Sequence, residues 1–134
     1  MFSSNIVTDK SLLHRKSAPY EFNDDHHPDL LSAHIKKMVK ENNAFGISGV
    51  QFNYPFRVFG IYTTDSKFEV LFNPELVSIA DETLIPEEEG CLSFPNLILK
   101  IKRPKSIIVR YQNENQEWIS NQLDDYYARG FLHE

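Results

Sequence analysis

Apolar residues recur at three- and four-residue steps between residues 28 and 43, with lysines and a glutamate in the positions between them. This spacing places the apolar residues on one face of an α-helix. The face is formed by Leu31, Ile35, Met38 and Val39. Pro28 suits the first turn of this helix, and Asp24 or Asp25 can cap its start. The pattern therefore predicts one amphipathic helix near the N-terminus, ending at about Asn42.

Short runs rich in β-branched and aromatic residues follow this helix, with prolines and polar turns between them, and such runs predict strands. They cover residues 57–62, 69–73, 76–80, 97–101, 106–111 and 117–120. A second helix is predicted to begin at Tyr126 and to run to Glu134, with Asp124 or Asp125 as its N-cap. The expected fold class is α+β, with mostly antiparallel strands packed around the C-terminal helix. We expect a single domain over residues 1–134, in which residues 1–27 form an irregular N-terminal arm.

Length and composition are those of an ordinary globular protein. The chain has 134 residues, of which 41% are hydrophobic and 13% aromatic, and its formal net charge is -5. Binding to nucleic acid requires clustered Lys and Arg, and the one short basic run, at residues 100–105, is predicted to be a solvated strand edge. No apolar run approaches the ~20 residues that span a bilayer. No signal peptide is recognisable either, so we expect a cytoplasmic protein.

Cys91 is the only cysteine of the chain, so it cannot form an intramolecular disulfide. Its thiol can be a small buried hydrophobic group, a nucleophile or a metal ligand. A lone cysteine in a globular domain is most often the first of these. However, three glutamates and a glycine at residues 87–90 precede Cys91 and predict an exposed loop between strands. Such a loop would bring polar groups to the sulfur, which favours a metal-bound thiolate.

The sequence ends with His133 and Glu134 on the predicted second helix. A histidine followed by a glutamate opens the His-Glu-x-x-His arrangement, in which two histidines bind one metal and the glutamate acts as general base. The second histidine would fall at position 137, beyond the last residue of this sequence. Taken alone, the dipeptide is more often a solvated helix end.

Gln51 follows two glycines, Gly46 and Gly49, which predict a turn or a close approach of the backbone. The stretch follows a helix and carries no lysine, which argues against a phosphate-binding loop. A buried glutamine here can donate its side-chain amide to the oxyanion that forms on a reacting carbonyl. The alternative is a glutamine that caps backbone groups in a turn.

The order and spacing of these signals resemble the peptide deformylases, which have three motifs. Residues 44–51 read Ala-Phe-Gly-Ile-Ser-Gly-Val-Gln and resemble the family motif Gly-x-Gly-Leu-Ala-Ala-x-Gln with several departures. Residues 89–93 match the second motif, Glu-Gly-Cys-Leu-Ser, in full. Residues 132–134, Leu-His-Glu, match part of Gln-His-Glu-x-x-His, and Ala128 and Arg129 precede them as a pair often does in the family.

The resemblance implies a hydrolase that removes the formyl group from the N-terminal formylmethionine of new proteins. It implies one divalent metal ion, with Fe(II) as the native ion and Zn, Ni or Co as substitutes. Cys91 and His133 would be metal ligands, the latter on the C-terminal helix. Glu134 would move the proton of the attacking water, while the Gln51 amide and the backbone N–H of Leu92 would hold the oxyanion.

For the substrate, the resemblance implies a peptide that pairs as an extra strand with backbone around Phe45, Gly46, Glu89 and Gly90. An apolar pocket would take the methionine side chain. By position, this pocket is lined by Phe45, Tyr126, Arg129, Gly130 and His133. Tyr126 and Arg129 stand where apolar residues are usual in the family. Gly130 costs about 1 kcal/mol relative to alanine inside a helix.

The implied partners are N-formylmethionyl nascent peptides near the ribosome. The resemblance also implies a monomer in the cytoplasm of a bacterial or phage-infected cell. No direct contact with nucleic acid or a membrane is expected. Either the chain continues to a second histidine three residues after Glu134, or the protein is a catalytically defective relative that only binds formylated or nascent N-termini. The first is favoured because Gln51, Cys91 and His133 suit catalysis together. The absence of the usual C-terminal tail resembles the short forms of bacteriophages. A structural domain with a buried Cys91 is the third hypothesis.

Overall fold

The computed structural model describes residues 6, 8, 17–22, 27–64, 67–91 and 94–133, with backbone alone at 87–88, 90–91, 94–100, 126, 130 and 133. In these residues the elements are, in order, helix α1 (Pro28–Glu41), strand β1 (Gly46–Ser48), the 3-10 helix η1 (Gly49–Phe52), strands β2 (Val58–Thr64), β3 (Lys67–Cys91), β4 (Phe94–Gln112) and β5 (Trp118–Asp124), and helix α2 (Asp125–His133). Neither helix is long and apolar enough to span a membrane.

The five strands form one sheet in the order β1-β2-β3-β4-β5, and every neighbouring pair is antiparallel. This arrangement follows from short connections, since consecutive strands joined by tight turns pair with each other. The predicted α+β class, with antiparallel strands and a C-terminal helix, is confirmed.

Helix α1 covers one face of the sheet, and the predicted apolar face is the buried one. Buried on α1 are Leu31, Ser32, Ile35, Met38 and Val39. Pro28 occupies the first turn as predicted, and the N-cap position is His27, which makes no side-chain capping hydrogen bond. The predicted caps Asp24 and Asp25 lie outside the described residues.

Alternate residues of β2 face two separate cores, because successive side chains of a strand point to opposite faces. Val58 packs against α1, together with Phe72 of β3 and Tyr20 of the N-terminal segment. Phe59 packs on the opposite face, together with Phe131 of α2. The sheet is therefore the middle layer between the two helices.

Gly60 lets α1 lie close against β2. A Cβ at this position would lie 2.5 Å from Cγ2 of Ile35 and 2.6 Å from Cζ of Phe68. Gly60→Ala is therefore expected to overpack this core and to lower the free energy of unfolding by about 1–3 kcal/mol. Urea denaturation of the variant and the parent protein checks this, and an unchanged midpoint would contradict the close packing of α1.

Strands β3 and β4 continue beyond the rest of the sheet as a two-stranded hairpin. Among the described residues, β2 pairs with β3 only as far as Phe72, and β5 pairs with β4 only from Ser106 onward. Beyond these points, residues 84–91 of β3 pair with residues 94–104 of β4 alone. We call this extension the arm. Both of its outer edges lack a neighbouring strand within the described part of the sheet.

Four predicted strands are parts of these two long ones. The predicted strands 69–73 and 76–80 lie in β3, and 97–101 and 106–111 lie in β4. The sequence pattern divides them because proline has no N–H to donate and usually interrupts a strand. Pro74 falls at a register shift between Phe72 and Glu75, and Pro104 lies in the arm. Proline is tolerated there because an open edge needs no donor.

The prediction that Cys91 lies in an exposed loop is wrong. Strand β3 runs up to Cys91, which pairs with Phe94, so that only residues 92 and 93 separate the two strands. The three glutamates before Cys91 are part of the paired strand, in which Glu88 pairs with Lys100, and Glu87 and Glu89 pair with Ile101 and Leu99. The Glu89 carboxylate also binds Arg103 of β4. Contacts between opposite charges on the two strands stabilise a strand at this polar stretch.

Helix α2 begins at Asp125, one residue earlier than predicted. Asp124 is the last residue of β5. Its carboxylate accepts hydrogen bonds from the hydroxyl of Ser106 and the side-chain amide of Gln122, and these bonds hold the pKa of Asp124 below its usual range. Asp124 thus ties the end of β5 to β4, immediately before the chain turns into α2.

Candidate active site

Gln51 is the third residue of η1 and is buried. Its side-chain oxygen accepts hydrogen bonds from the backbone N–H of Ser48, at 3.0 Å, and from the Ser48 hydroxyl, at 3.2 Å. In return, the Ser48 side chain accepts from the backbone N–H of Gln51, so the two residues form a capping box, which satisfies backbone donors at the start of the helical turn. The predicted capping role is therefore present. It is compatible with a second role, because fixing the amide oxygen also fixes the direction of the amide nitrogen.

Gly49 allows η1 to pack tightly against the following loop. A Cβ at Gly49 would lie 2.6 Å from the carbonyl oxygen of Tyr54 and 3.0 Å from that of Phe56. In the motif that residues 44–51 resemble, this position is alanine. The departure has a structural reason in this chain, because its backbone carbonyls occupy the space that an alanine methyl group would need.

Gly49→Ala, which restores the family residue, is expected to displace η1 and with it Gln51. If Gln51 acts on the substrate, kcat should fall roughly 10- to 100-fold, because catalytic groups are sensitive to shifts of about 1 Å. Gly60→Ala is the matched control, since its added methyl group meets the side chains of Ile35 and Phe68 and not the loop that follows η1. Equal losses of activity in both variants would show that Gly49→Ala acts through general destabilisation.

Glu89 and Arg129, both predicted near the substrate, bind each other in the interior. Nη1 of Arg129 lies 2.6 Å from Oε2 of Glu89, and both side chains are less than a tenth exposed. The same Nη1 donates to the carbonyl oxygen of Ile101 at 2.8 Å, and Nη2 donates to the carbonyl oxygen of Ile85. The guanidinium of Arg129 thus joins α2 to both strands of the arm, and its aliphatic stem is the part left to line a pocket.

Arg103 completes this cluster and was not predicted as a functional residue. Its Nε and Nη2 donate to the two carboxylate oxygens of Glu89 at 3.1 and 3.0 Å. The basic run that contains Arg103 was predicted to be a solvated strand edge; it is a strand, but this side chain is about a quarter exposed and paired. The available signal was an acidic run and a basic run on either side of one short turn.

Aromatic rings connect the first motif to α2. The Phe45 ring centroid lies 6.3 Å from that of Tyr127 on α2 and 5.8 Å from that of Tyr62 on β2. Phe45 directly precedes β1, where Gly46 pairs with Ile61. Strand β1 is the edge of the described sheet, so the backbone after Phe45 presents an open strand edge close to α2.

A cavity of about 380 Å³ separates η1 from the last turn of α2. Its lining includes Ser48, Gly49, Val50, Leu76, Phe131 and Leu132. The segment that leads into Gln51 and the residue before His133 therefore border the same space. The first and third sequence motifs, 80 residues apart, are brought to one part of the fold.

The predicted metal ligands are the final residues of two elements that contact each other. Cys91 ends β3 and His133 ends α2. Among the side chains that the structure describes, no group of three or more His, Cys, Asp or Glu can hold a metal. The side chains of Cys91 and His133 are not among them. A thiolate and an imidazole are suitable ligands for Zn²⁺ and Fe²⁺, and the Glu89–Arg129 contact holds their two segments together, so the residues fit a metal site.

Several predicted site residues stay predictions. Leu92 and Glu134 lie outside the described residues. The structure places Gly90 on β3, and Tyr126 and Gly130 on α2, as backbone only.

Comparisons with known proteins agree with this geometry. The sequence pattern of the polypeptide deformylase family matches residues 4–134. The peptide deformylase of Thermotoga sp. strain RQ2 is 33% identical over 137 residues, covering 100% of this chain and 79% of the relative. The crystal structure of peptide deformylase from Thermotoga maritima has a TM-score of 0.88 at 28% identity, covering 100% of this chain and 88% of that one. A probable peptide deformylase from synechococcus phage S-SSM7 has a TM-score of 0.85 at 26% identity, covering 100% and 91%. The chain belongs to the polypeptide deformylase family.

Proposed function

We propose that this protein is a metal-dependent hydrolase that removes the formyl group from the N-terminal formylmethionine of nascent proteins. Family membership supports the reaction class. The observation that supports an assembled site most strongly is the 2.6 Å contact between Arg129 and Glu89. It joins the helix that ends at His133 to the strand that ends at Cys91.

Cys91 and His133 would hold one divalent metal ion, Fe(II) in the native protein and Zn, Ni or Co as substitutes. In proteins with the full His-Glu-x-x-His pattern, the second histidine supplies a third protein ligand. When bound, the metal supplies Lewis acidity, which polarises the formyl oxygen and lowers the pKa of water toward neutrality.

The residues of this chain would guide the proton and the developing charge. Glu134 accepts a proton from the attacking water as the new C–O bond forms at the formyl carbon. The tetrahedral oxyanion is held by the Gln51 side-chain amide and the backbone N–H of Leu92. The C–N bond then breaks, Glu134 delivers the proton to the departing amine, and formate and the free N-terminus are released.

The substrate backbone would pair with two open strand edges. One follows Phe45 and contains Gly46, and the other is the outer edge of β3 at Glu89 and Gly90. Adding a peptide strand to an exposed edge fixes the substrate through main-chain hydrogen bonds and leaves side-chain pockets to give specificity. Helix α2 contacts both edges, through Tyr127 and Arg129, so its inward face would form the floor for the methionine side chain.

The pocket for methionine would be completed by α2. In addition to Phe45, we propose that its walls come from Tyr126, the stem of Arg129, Gly130 and His133. A flexible thioether chain fits such an irregular mixed pocket well. The physiological partners would be nascent peptides near the ribosome, met by a monomeric enzyme in the cytoplasm of a bacterial or phage-infected cell.

Peptide binding and hydrolysis, measured side by side on metal-loaded protein, test this proposal. Calorimetry gives the affinity for formyl-Met-Ala-Ser, and an enzymatic assay gives the formate released. Hydrolysis supports the deformylase. Binding without formate supports the alternative, a catalytically defective relative that only captures formylated or nascent N-termini. Protein that neither binds nor hydrolyses the peptide would contradict both.

A further inference from the structure

We infer that Glu89, Arg129 and Arg103 form a positioning cluster that sets the location of Cys91 relative to His133; this inference rests on the proposed function. These three residues are called the carboxylate clamp below. The clamp connects the arm to α2 through one carboxylate that two guanidinium groups share.

Two residues of the clamp, Glu89 and Arg129, lie close in sequence to the two predicted metal ligands. Glu89 is two residues before Cys91 on β3, a distance of roughly 7 Å in an extended strand. Arg129 is four residues before His133 on α2, about 6 Å along the helix axis. A shift of β3 relative to α2 would therefore change the distance between Cys91 and His133 by nearly the same amount.

The hydrogen bonds of the clamp leave Arg129 little freedom. Its guanidinium donates to the carboxylate of Glu89 and to the carbonyl oxygens of Ile85 on β3 and Ile101 on β4. A planar guanidinium with three fixed acceptors defines a direction as well as a distance. Neither a lysine nor an apolar side chain can reproduce this geometry.

The composition of the clamp suits positioning better than stabilisation. Removing charges from water is costly, so a buried ion pair contributes little net stability compared with apolar residues of the same shape. Buried pairs are better attested as devices that select one arrangement of the elements they join. The contact of Phe131 with Phe59 between α2 and the sheet is apolar, and such a contact can slide.

Cobalt binding separates positioning from stability. Apo-protein is titrated with Co(II), and the thiolate-to-cobalt absorption band reports both affinity and geometry at Cys91. In Arg129→Met we expect the dissociation constant for Co(II) to rise about 10- to 100-fold, as for other losses of groups that orient metal ligands, with a changed band. Arg129→Lys should recover part of the affinity, and Arg103→Met, which leaves Arg129 on Glu89, should have the smaller effect.

Arg110→Met is the matched control. Arg110 pairs with Glu75 at 2.8 Å on the same two strands, but this pair is nearly half exposed and far along the hairpin from Cys91. Its removal should leave the cobalt affinity within twofold of the parent. Urea denaturation of each apo-variant shows whether it folds. If Arg129→Met does not fold, Arg129→Lys and Arg103→Met carry the test.

The outcomes are distinct. A cobalt band with unchanged affinity and shape in the folded Arg129 and Arg103 variants, whatever happens to their unfolding midpoints, would overturn the positioning role and leave the proposed function intact. Parent protein without any thiolate-to-cobalt band would overturn the proposed metal site itself, and the inference with it.

Discussion

Cys91→Ser is expected to reduce bound metal from about one ion per chain to background and to abolish formate release. Serine has nearly the same shape as cysteine, but its hydroxyl stays protonated and is a poor ligand, whereas a thiolate binds Zn²⁺ or Fe²⁺ strongly. Metal analysis after gel filtration measures the first effect. Formate release from formyl-Met-Ala-Ser measures the second.

Two histidine variants are compared with Cys91→Ser. His133→Gln should lose metal as Cys91→Ser does. His34→Gln is the control, because His34 lies on α1 with its ring 5.3 Å from that of Phe52, away from α2. It should keep its metal. Metal content at the same background level in Cys91→Ser and in the parent would instead favour the structural hypothesis, in which Cys91 is a buried hydrophobic group.

Gln51→Leu is expected to lower kcat by about 100- to 1000-fold with little change in KM. Loss of one oxyanion donor typically raises the barrier by ~3 kcal/mol, and the donor acts mainly in the transition state. Leucine keeps the volume of this buried side chain. Steady-state kinetics on the metal-loaded variant measure the effect, and metal content confirms that the ligands are unaffected.

The capping role of Gln51 requires its own controls. Leucine also removes the acceptor that binds the backbone N–H of Ser48 at 3.0 Å. Gln51→Glu keeps an acceptor there and offers no amide donor, so it should be nearly as impaired as Gln51→Leu. Ser48→Ala removes the hydroxyl side of the capping box but keeps the 3.0 Å bond from its backbone N–H to Gln51, so it should stay much closer to the parent. An active Gln51→Glu variant would show that Gln51 serves the fold alone.

The features that the sequence predicts well are those that depend on residues close to one another in the chain. The buried face of α1 follows from the three- and four-residue spacing of its apolar residues. The closing helix was placed to within one residue of its start at Asp125. For both helices, residues that are neighbours in sequence carry the signal.

Local sequence patterns could not predict the lengths of β3 and β4. Pro74 and Pro104 would each be expected to interrupt a strand, and they are tolerated because each lies where its strand has an open outer edge, Pro74 after the end of the β2 pairing and Pro104 before the β5 pairing. Whether a strand edge is open depends on where β2 and β5 end, which is a property of the whole sheet. The same reason explains why the stretch before Cys91 is a strand and was predicted as a loop.

The carboxylate clamp could not be predicted from local sequence patterns, because its residues are far apart in the chain. Glu89 and Arg129 are 40 residues apart, and each was predicted near the substrate from its place in a motif. Sequence shows which residues belong to the motifs, but only the packing of α2 against the arm shows that these two side chains bind each other. Arg103 was missed because a basic run is usually solvated.

Formate release as a function of bound metal tests the central claim most directly. Apo-protein is loaded with increasing Fe(II) without oxygen and assayed on formyl-Met-Ala-Ser, with acetyl-Met-Ala-Ser as the matched control. A metal-dependent deformylase predicts formate and free amine in equal amounts, rising in proportion to bound iron, and far slower cleavage of the acetyl peptide. Fully loaded protein that releases no more formate than the apo-protein would contradict the account.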